Sequence, residues 1–174
     1  MVDLSLHIQD LCENCFTAGA SKVLITINST ADYYDIIIED NGCGMSEETK
    51  NKVISPFTTS RTVRKVGLGI PLFIQTCEQT DGFVNIQSFV NKGTIISGRM
   101  YKNHIDAIPL GDLTETIYLL FITNNSVEVV FKYNDFVVNS AELREILGDV
   151  PFTEFSIMEW IKAYIAEGIS SQNN

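Results

Sequence analysis

Two strand-like runs, joined by three residues and ending in a glycine loop, constrain the fold of this chain more than any other feature. Residues 22–29 (KVLITINS) alternate apolar and polar positions, and residues 33–39 (YYDIIIE) are more continuously apolar. The first pattern fits a half-buried strand and the second a more deeply buried one. Thr30-Ala31-Asp32 joins them as a hairpin. The second run leads straight into Asp40-Asn41-Gly42-Cys43-Gly44-Met45. Asn-Gly alone would serve a turn, but here a second glycine and a methionine follow. Gly42 and Gly44 lack the Cβ atoms that would block a flat ring. Met45 offers a soft apolar contact, and the Asp40 carboxylate can accept a hydrogen bond from an exocyclic amine such as that of adenine.

The flanking segments extend this pattern. Leu4, Ile8, Leu11, Cys12, Cys15 and Phe16 recur at helical spacing, which predicts a helix over 4–17 that stops near Gly19. A short helix is expected from about Ser46, with Glu47 and Glu48 in its first turn. Residues 55–66 (SPFTTSRTVRKV) lack periodicity and are expected to be mobile. Gly67-Leu68-Gly69 opens a helix to about Gln79, with Pro71 tolerated in its first turn. Strands are expected at 83–89 and 94–101, joined through Asn91-Lys92-Gly93. This order predicts one sheet with helices on a single face. Beyond it lie a connector with a short helical piece at 102–115, strands at 116–122, 127–132 and 136–138, and helices at 140–147 and 153–167.

Charge narrows the class of function. The chain of 174 residues carries a net charge of −10, which excludes a broad nucleic-acid surface. Residues 1–100 hold 8 basic and 11 acidic residues, a net of −3, and residues 101–174 hold 4 and 11, a net of −7. Against that background Arg61, Arg64 and Lys65 form a local basic cluster. No apolar run approaches the roughly 20 residues of a membrane span, and the start MVDLSLHIQD has no basic leader, so a cytoplasmic protein is expected. Cys12 and Cys15 form a C-x-x-C inside a helical pattern, without a second pair for zinc. They are expected to be buried apolar residues, and all four cysteines free thiols.

Candidate functional residues cluster around the two glycine stretches. Asp10 and Asn14, four apart on the first helix, reach one patch. An amide oxygen of Asn14 can ligate a hard cation such as Mg²⁺. Asp10 can orient or deprotonate a water, with Glu13 as a second candidate base. Gly67 and Gly69 precede a helix whose N–H groups and dipole favour an anion. Arg61, Arg64 and Lys65, with the hydroxyls of Thr58, Thr59 and Ser60, stand directly before them. A phosphate chain would neutralise that cluster. Neither G-x-G-x-x-G nor G-x-x-x-x-G-K-[ST] occurs, so a dinucleotide fold and a P-loop are not supported.

Taken in order, these stretches resemble the ATP-binding domain shared by sensor histidine kinases, gyrase B, the MutL mismatch-repair proteins and the heat-shock chaperone of the same fold. LHIQDLCENCFTAGAS (6–21) is similar to the N box in its MutL form, and DNGCGM (40–45) to the first glycine box. SPFTTSRTVRKVGLGIPL (55–72) resembles the kinase lid and second glycine box. GFVNIQSFVNKGTI (82–95) resembles the stretch that ends in Gly-Lys-Gly-Thr, with Asn91 in place of the usual glycine. The resemblance implies an α+β fold, a two-layer α/β sandwich of the histidine kinase-like ATPase type. It implies an ATP-binding domain over 1–101 and a C-terminal strand–helix extension over 102–174. It implies ATP and Mg²⁺ as cofactors, with Asn14 as the metal ligand and Asp40 on the adenine amino group. Gly42, Gly44 and Met45 would shape the adenine floor, with Thr94 near the base. Gly67, Leu68 and Gly69 would meet the phosphates, helped by Thr58, Thr59, Arg61 and Lys65. Asp10 falls where hydrolysing members carry a glutamate base, one methylene longer.

The opening LSLHIQDL and the tail segments IPLGDL, EILGDVPF and EWIKAYIAEG also resemble a small stand-alone subgroup from anaerobic bacteria that often accompanies redox or hydrogenase genes. The expected function is a Mg-ATP-binding module, a slow ATPase or nucleotide-dependent switch acting on a protein partner. A protein kinase acting in trans and a scaffold without nucleotide are the alternatives. The kinase hairpin that carries a phosphorylated histidine is expected to be absent, since three residues precede the first helix and His7 and His104 are the only histidines.

Overall fold

The computed structural model describes residues 3–54 and 68–173. The first helix, α1 (Leu4–Thr17), starts at Asp3, whose carboxylate accepts from Leu6 N–H and from the Ser5 hydroxyl. That side chain satisfies one of the helix's otherwise orphaned N–H donors. Leu4, Ile8, Leu11, Cys12 and Cys15 form its buried stripe, as the 3.6-residue period requires. The chain then turns at Gly19 (φ +73°) into the hairpin β1 (Lys22–Ser29) and β2 (Tyr33–Asp40). The short helix α2 (Glu47–Ile54) follows, with the Ser46 hydroxyl accepting from Thr49 N–H. Helix α3 (Gly69–Glu78) precedes a second hairpin, β3 (Phe83–Phe89) and β4 (Gly93–Tyr101). The mobile segment expected at 55–66, with Thr58, Thr59, Arg61, Lys65 and also Gly67, lies outside the described residues.

One of the expected elements is different. Residues 116–122 are not a strand but the middle of helix α4 (Leu113–Thr123). The β-branched and aromatic content of LTETIYLLFIT favours a strand locally. Of its buried residues, Leu113, Thr116, Ile117, Leu120 and Phe121 are nonetheless spaced at three and four, with Tyr118 buried beside them, and Asp112 caps Glu115 N–H at 2.9 Å. Tertiary burial on α1 and α6 outweighs the local preference. The chain ends with β5 (Glu128–Tyr133), β6 (Phe136–Asn139), α5 (Ser140–Leu147) and α6 (Phe155–Ser171).

The six strands form one mixed sheet in the order β3-β4-β2-β1-β5-β6. All neighbouring pairs are antiparallel except β1 with β5, which run parallel. Alternate residues Val23, Ile25, Ile27, Ile36, Ile38, Ile96 and Met100 point into a core shared with α1 and α3. The architecture is therefore α+β, with helices layered on a sheet. The register places Asp40, the last residue of β2, opposite Thr94 at the start of β4. Both side chains lie on the helix-covered face, where the sheet meets α1.

Candidate functional site

The loop after β2 is held from both sides. Asn41 turns its side chain back, and its Oδ1 accepts from Ser21 N–H at 2.9 Å and Lys22 N–H at 3.0 Å. Cys43 N–H donates to Ala18 O at 2.9 Å, and Cys43 O accepts from Asn91 N–H at 2.7 Å. Met45 N–H donates to the Ser88 hydroxyl at 2.8 Å, which lies 2.8 Å from the Thr94 hydroxyl. These bonds clamp the loop between the α1–β1 turn and the β3–β4 hairpin. The glycines make the clamp sterically possible. A Cβ on Gly42 would come within 2.8 Å of Ala18 O, and one on Gly44 (φ +62°) within 2.0 Å of Phe89 O. The atoms these glycines lack would meet the chain itself, so the loop can close down flat against the sheet end.

The result is a cavity of about 240 Å³. Asn14 on α1, Asp40 at the end of β2, Gly44 and Met45 in the loop, and Thr94 on β4 all line it. Asp40 is 9 % exposed. Its Oδ1 accepts from Gly42 N–H at 2.7 Å, which fixes the plane of the carboxylate. Leu11, Ile70 and Ile96 make most of the remaining wall apolar, with Cys15 and Thr49 beside them. A carboxylate and an amide set into an apolar wall can accommodate a flat ring that carries one or two polar edges.

Several of these wall residues escape the sequence reading. Ile96 stands two residues beyond Thr94 on the same face of β4, so strand periodicity could have found it. Cys15 adjoins Asn14, and burial pushes its thiol pKa well above the usual range, with Asp40 adding to the shift. That thiol is a packing group rather than a nucleophile.

Helix α3 enters the site end-on. A Cβ on Gly69 would lie 3.1 Å from Asp10 Cβ and 3.6 Å from Asn14 Nδ2, so glycine eases the close start of α3 against α1. Leu68, at its N-cap, contributes no capping side chain and is exposed. The first-turn N–H groups of α3 thus begin beside Asp10 and Asn14, with no side-chain cap from Leu68. Asn14 Nδ2 is buried and has no hydrogen-bond partner among the described residues. Asp10 has its carboxyl pKa raised by burial and then by Glu13. Glu13 is exposed and accepts from Gln9 Nε2 at 3.2 Å. It does not line the cavity.

The remaining candidate groups stand apart. His7 is buried between α1 and α3, with Nε2 3.0 Å from the Thr76 hydroxyl. Burial lowers its pKa to about 4, so it packs as a neutral ring. Cys12, Cys15 and Cys77 are buried free thiols, whereas Cys43 is exposed on the loop. Among the described residues no three His, Cys, Asp or Glu side chains are grouped to hold a metal ion. No described helix is long and apolar enough to cross a membrane.

Comparison with known proteins places this geometry. Over 82 residues, 47 % of this chain, it is 35 % identical to a protein called Sensor kinase CckA from Brucella abortus, of which the match covers 9 %. It is 36 % identical over 91 residues, 51 % of the chain, to a Putative sensor protein from Shewanella frigidimarina, of which the match covers 14 %. It is 30 % identical over 73 residues, 42 % of the chain, to Sporulation kinase C of Bacillus subtilis, of which the match covers 17 %. The chain therefore matches less than a fifth of the length of these relatives. Residues 2–102, which hold α1, both hairpins and every wall of the cavity, match the model of the histidine kinase-, DNA gyrase B- and HSP90-like ATPases, and the chain belongs to that family.

Proposed function

We propose that the chain binds Mg-ATP in this cavity and works as a slow ATPase or nucleotide-dependent switch on a protein partner. The observation that carries the reading is the convergence of Asp40, Asn14 and the N-terminal end of α3 on one apolar cleft. The adenine amine would donate to the Asp40 carboxylate, with Thr94 close to the ring and Met45 on its face. The phosphates would run toward Gly69 and the first-turn N–H groups of α3, where backbone donors and the helix dipole favour negative charge. Thr58, Thr59, Arg61, Lys65 and Gly67 would complete that end from the neighbouring segment. A magnesium ion supplies charge neutralisation of the phosphate chain when bound. The fit rests on Asn14, whose terminal amide is buried with one atom unpartnered. Turned about, that amide presents its oxygen, a suitable hard ligand.

Isothermal titration with ATP, with and without Mg²⁺, tests the reading; absence of heat on a folded sample overturns it. Asn14→Ala is expected to weaken Mg-ATP by tenfold or more and metal-free ATP by less than about threefold, the ligand bond being worth more than about 1.4 kcal/mol. An equal fall in both would remove the metal role. Asp10→Ala is expected to lower turnover by about a hundredfold, within the usual range for a positioned base, while sparing ATP affinity. Unchanged turnover would shift the base to Glu13 or to no side chain at all.

Kinase activity in trans is the second reading, favoured by the sensor-kinase names of the relatives. His7 is buried, and His104 sits 3.7 Å from Asp81 and 3.6 Å from Asp106. Neither histidine is presented as a phosphoacceptor, and this reading takes the acceptor to be on a partner protein. Transfer of γ-labelled phosphate to a candidate partner, redox-associated proteins first, separates this reading from simple hydrolysis. Free thiols at all four cysteines fit a reducing cytoplasm for such a module.

A further inference from the structure

Helix α6 buries one arc and leaves the other bare. Ile161 and Ile165 pack into the core against α4 and β6. On the outward arc Trp160 is 45 % and Tyr164 41 % exposed, stacked on each other at 5.7 Å with their rings 8° apart. Tyr164 also meets Phe136 edge-on at 5.6 Å, so the aromatic ridge is braced on β6 rather than free to fold away. Beside the ridge, at the 3.6-residue spacing of the helix, come the small exposed residues Ala163 and Ala166, flanked by Glu159 and Glu167. A ridge next to a valley of small side chains is the relief into which a second helix packs closely.

The charge around this arc says what such a helix must carry. Residues 101–174 hold 4 basic and 11 acidic residues. Three of the four bases are engaged within the fold. Lys102 donates to Ser29 and Thr30, Arg144 to the carbonyls of Phe121 and Val127, and Lys162 pairs with Glu115 at 2.5 Å. Lys132 alternates with the buried Phe131 and Tyr133 and so points to the opposite face of the sheet. Among the described residues Glu159 and Glu167 have no ion-pair partner. A second copy of the chain would set these carboxylates against their own kind, and an anionic membrane surface would repel them.

We propose that the outward arc of α6 is a docking surface for a basic amphipathic helix of a partner protein, whose apolar stripe covers Trp160 and Tyr164 while its Lys or Arg residues meet Glu159 and Glu167. Cations also gain from the exposed face of the indole. This surface stands independently of the nucleotide site, and its test is run without nucleotide.

Trp160 is the only tryptophan of the chain, so its fluorescence reads this face directly. The full chain is titrated with a synthetic Leu/Lys amphipathic helix and, separately, with its Leu/Glu counterpart. The expected result is a saturable blue shift with the Lys helix alone, weakening about tenfold between about 50 and about 300 mM salt. The double substitution Glu159→Lys and Glu167→Lys is expected to weaken binding about tenfold. A matched pair elsewhere, Glu48→Lys and Glu78→Lys, is expected to change it less than about twofold. Ala163→Lys gives an independent variant that should weaken binding in the same direction. The proposal is overturned by no saturable shift, by equal binding of the Glu helix, by equal losses in both double variants, or by self-association of the free chain that itself shifts Trp160.

Discussion

Asp40→Asn is expected to reduce ATP affinity by a hundredfold or more with little change in stability. The substitution keeps the size of the side chain at the end of β2. An asparagine Oδ1 can still accept from Gly42 N–H, the bond that now measures 2.7 Å, so the loop keeps its anchor. What changes is the other side of the group. Where a carboxylate oxygen would accept from the adenine amine, an NH₂ would face an NH₂. The lost charge-assisted bond is worth about 1.5–3 kcal/mol and the unpaired buried donors cost about 1–3 kcal/mol more. Together these correspond to roughly two to four orders of magnitude in affinity. GTP, which presents a carbonyl at the corresponding edge, should lose less than ATP or gain. Calorimetry with both nucleotides, beside thermal melts of both proteins, checks the outcome. An ATP affinity within about threefold of the parent would remove Asp40 from the adenine edge.

How much of this was legible in the chain depended on how local the cause was. The hairpins β1–β2 and β3–β4 follow from alternation and short turns, and their predicted bounds agree with the observed strands to within a residue or two. Helix α1 was equally plain, because its apolar stripe and its glycine stop are both local. Helix α4 was not. Its β-branched and aromatic residues indicate a strand, and the helix results from burial between α1 and α6, elements distant in sequence.

The same division runs through the site. Asp40, Gly42 and Gly44 announce themselves in one short motif, and Asn14 through its spacing from Asp10. Ile96 follows Thr94 at strand spacing, but Leu11 and Ile70 reach the cavity only through the packing of separate elements, and nothing in their own neighbourhoods sets them apart from ordinary core. The reason for the glycines was also hidden. Sequence suggests room for a ring, whereas the atoms a Cβ would meet at Gly44 belong to Phe89 and Gly93.

That difference leads to the second large effect. Gly44→Ala is expected to destabilise the protein by about 3 kcal/mol or more and to abolish ATP binding with it. Two costs combine at this residue. Its φ of +62° lies in the left-handed region, which costs a residue with a Cβ roughly 1–2 kcal/mol. The Cβ would also stand 2.0 Å from Phe89 O, a backbone atom that no rotamer change can move. Either the loop lifts or the β3–β4 hairpin gives way, and both movements break the Met45–Ser88–Thr94 chain of hydrogen bonds along the cavity wall. Gly19→Ala separates the two costs. Gly19 has a φ of +73°, and a Cβ there would meet no atom within 4 Å, so that substitution should cost about 1 kcal/mol from backbone conformation alone. Denaturant midpoints for the two variants, with ATP titrations of each, measure the difference. Should Gly44→Ala prove no more costly than Gly19→Ala and still bind ATP, the loop is not pressed against the sheet end, and the cavity floor described above is wrong.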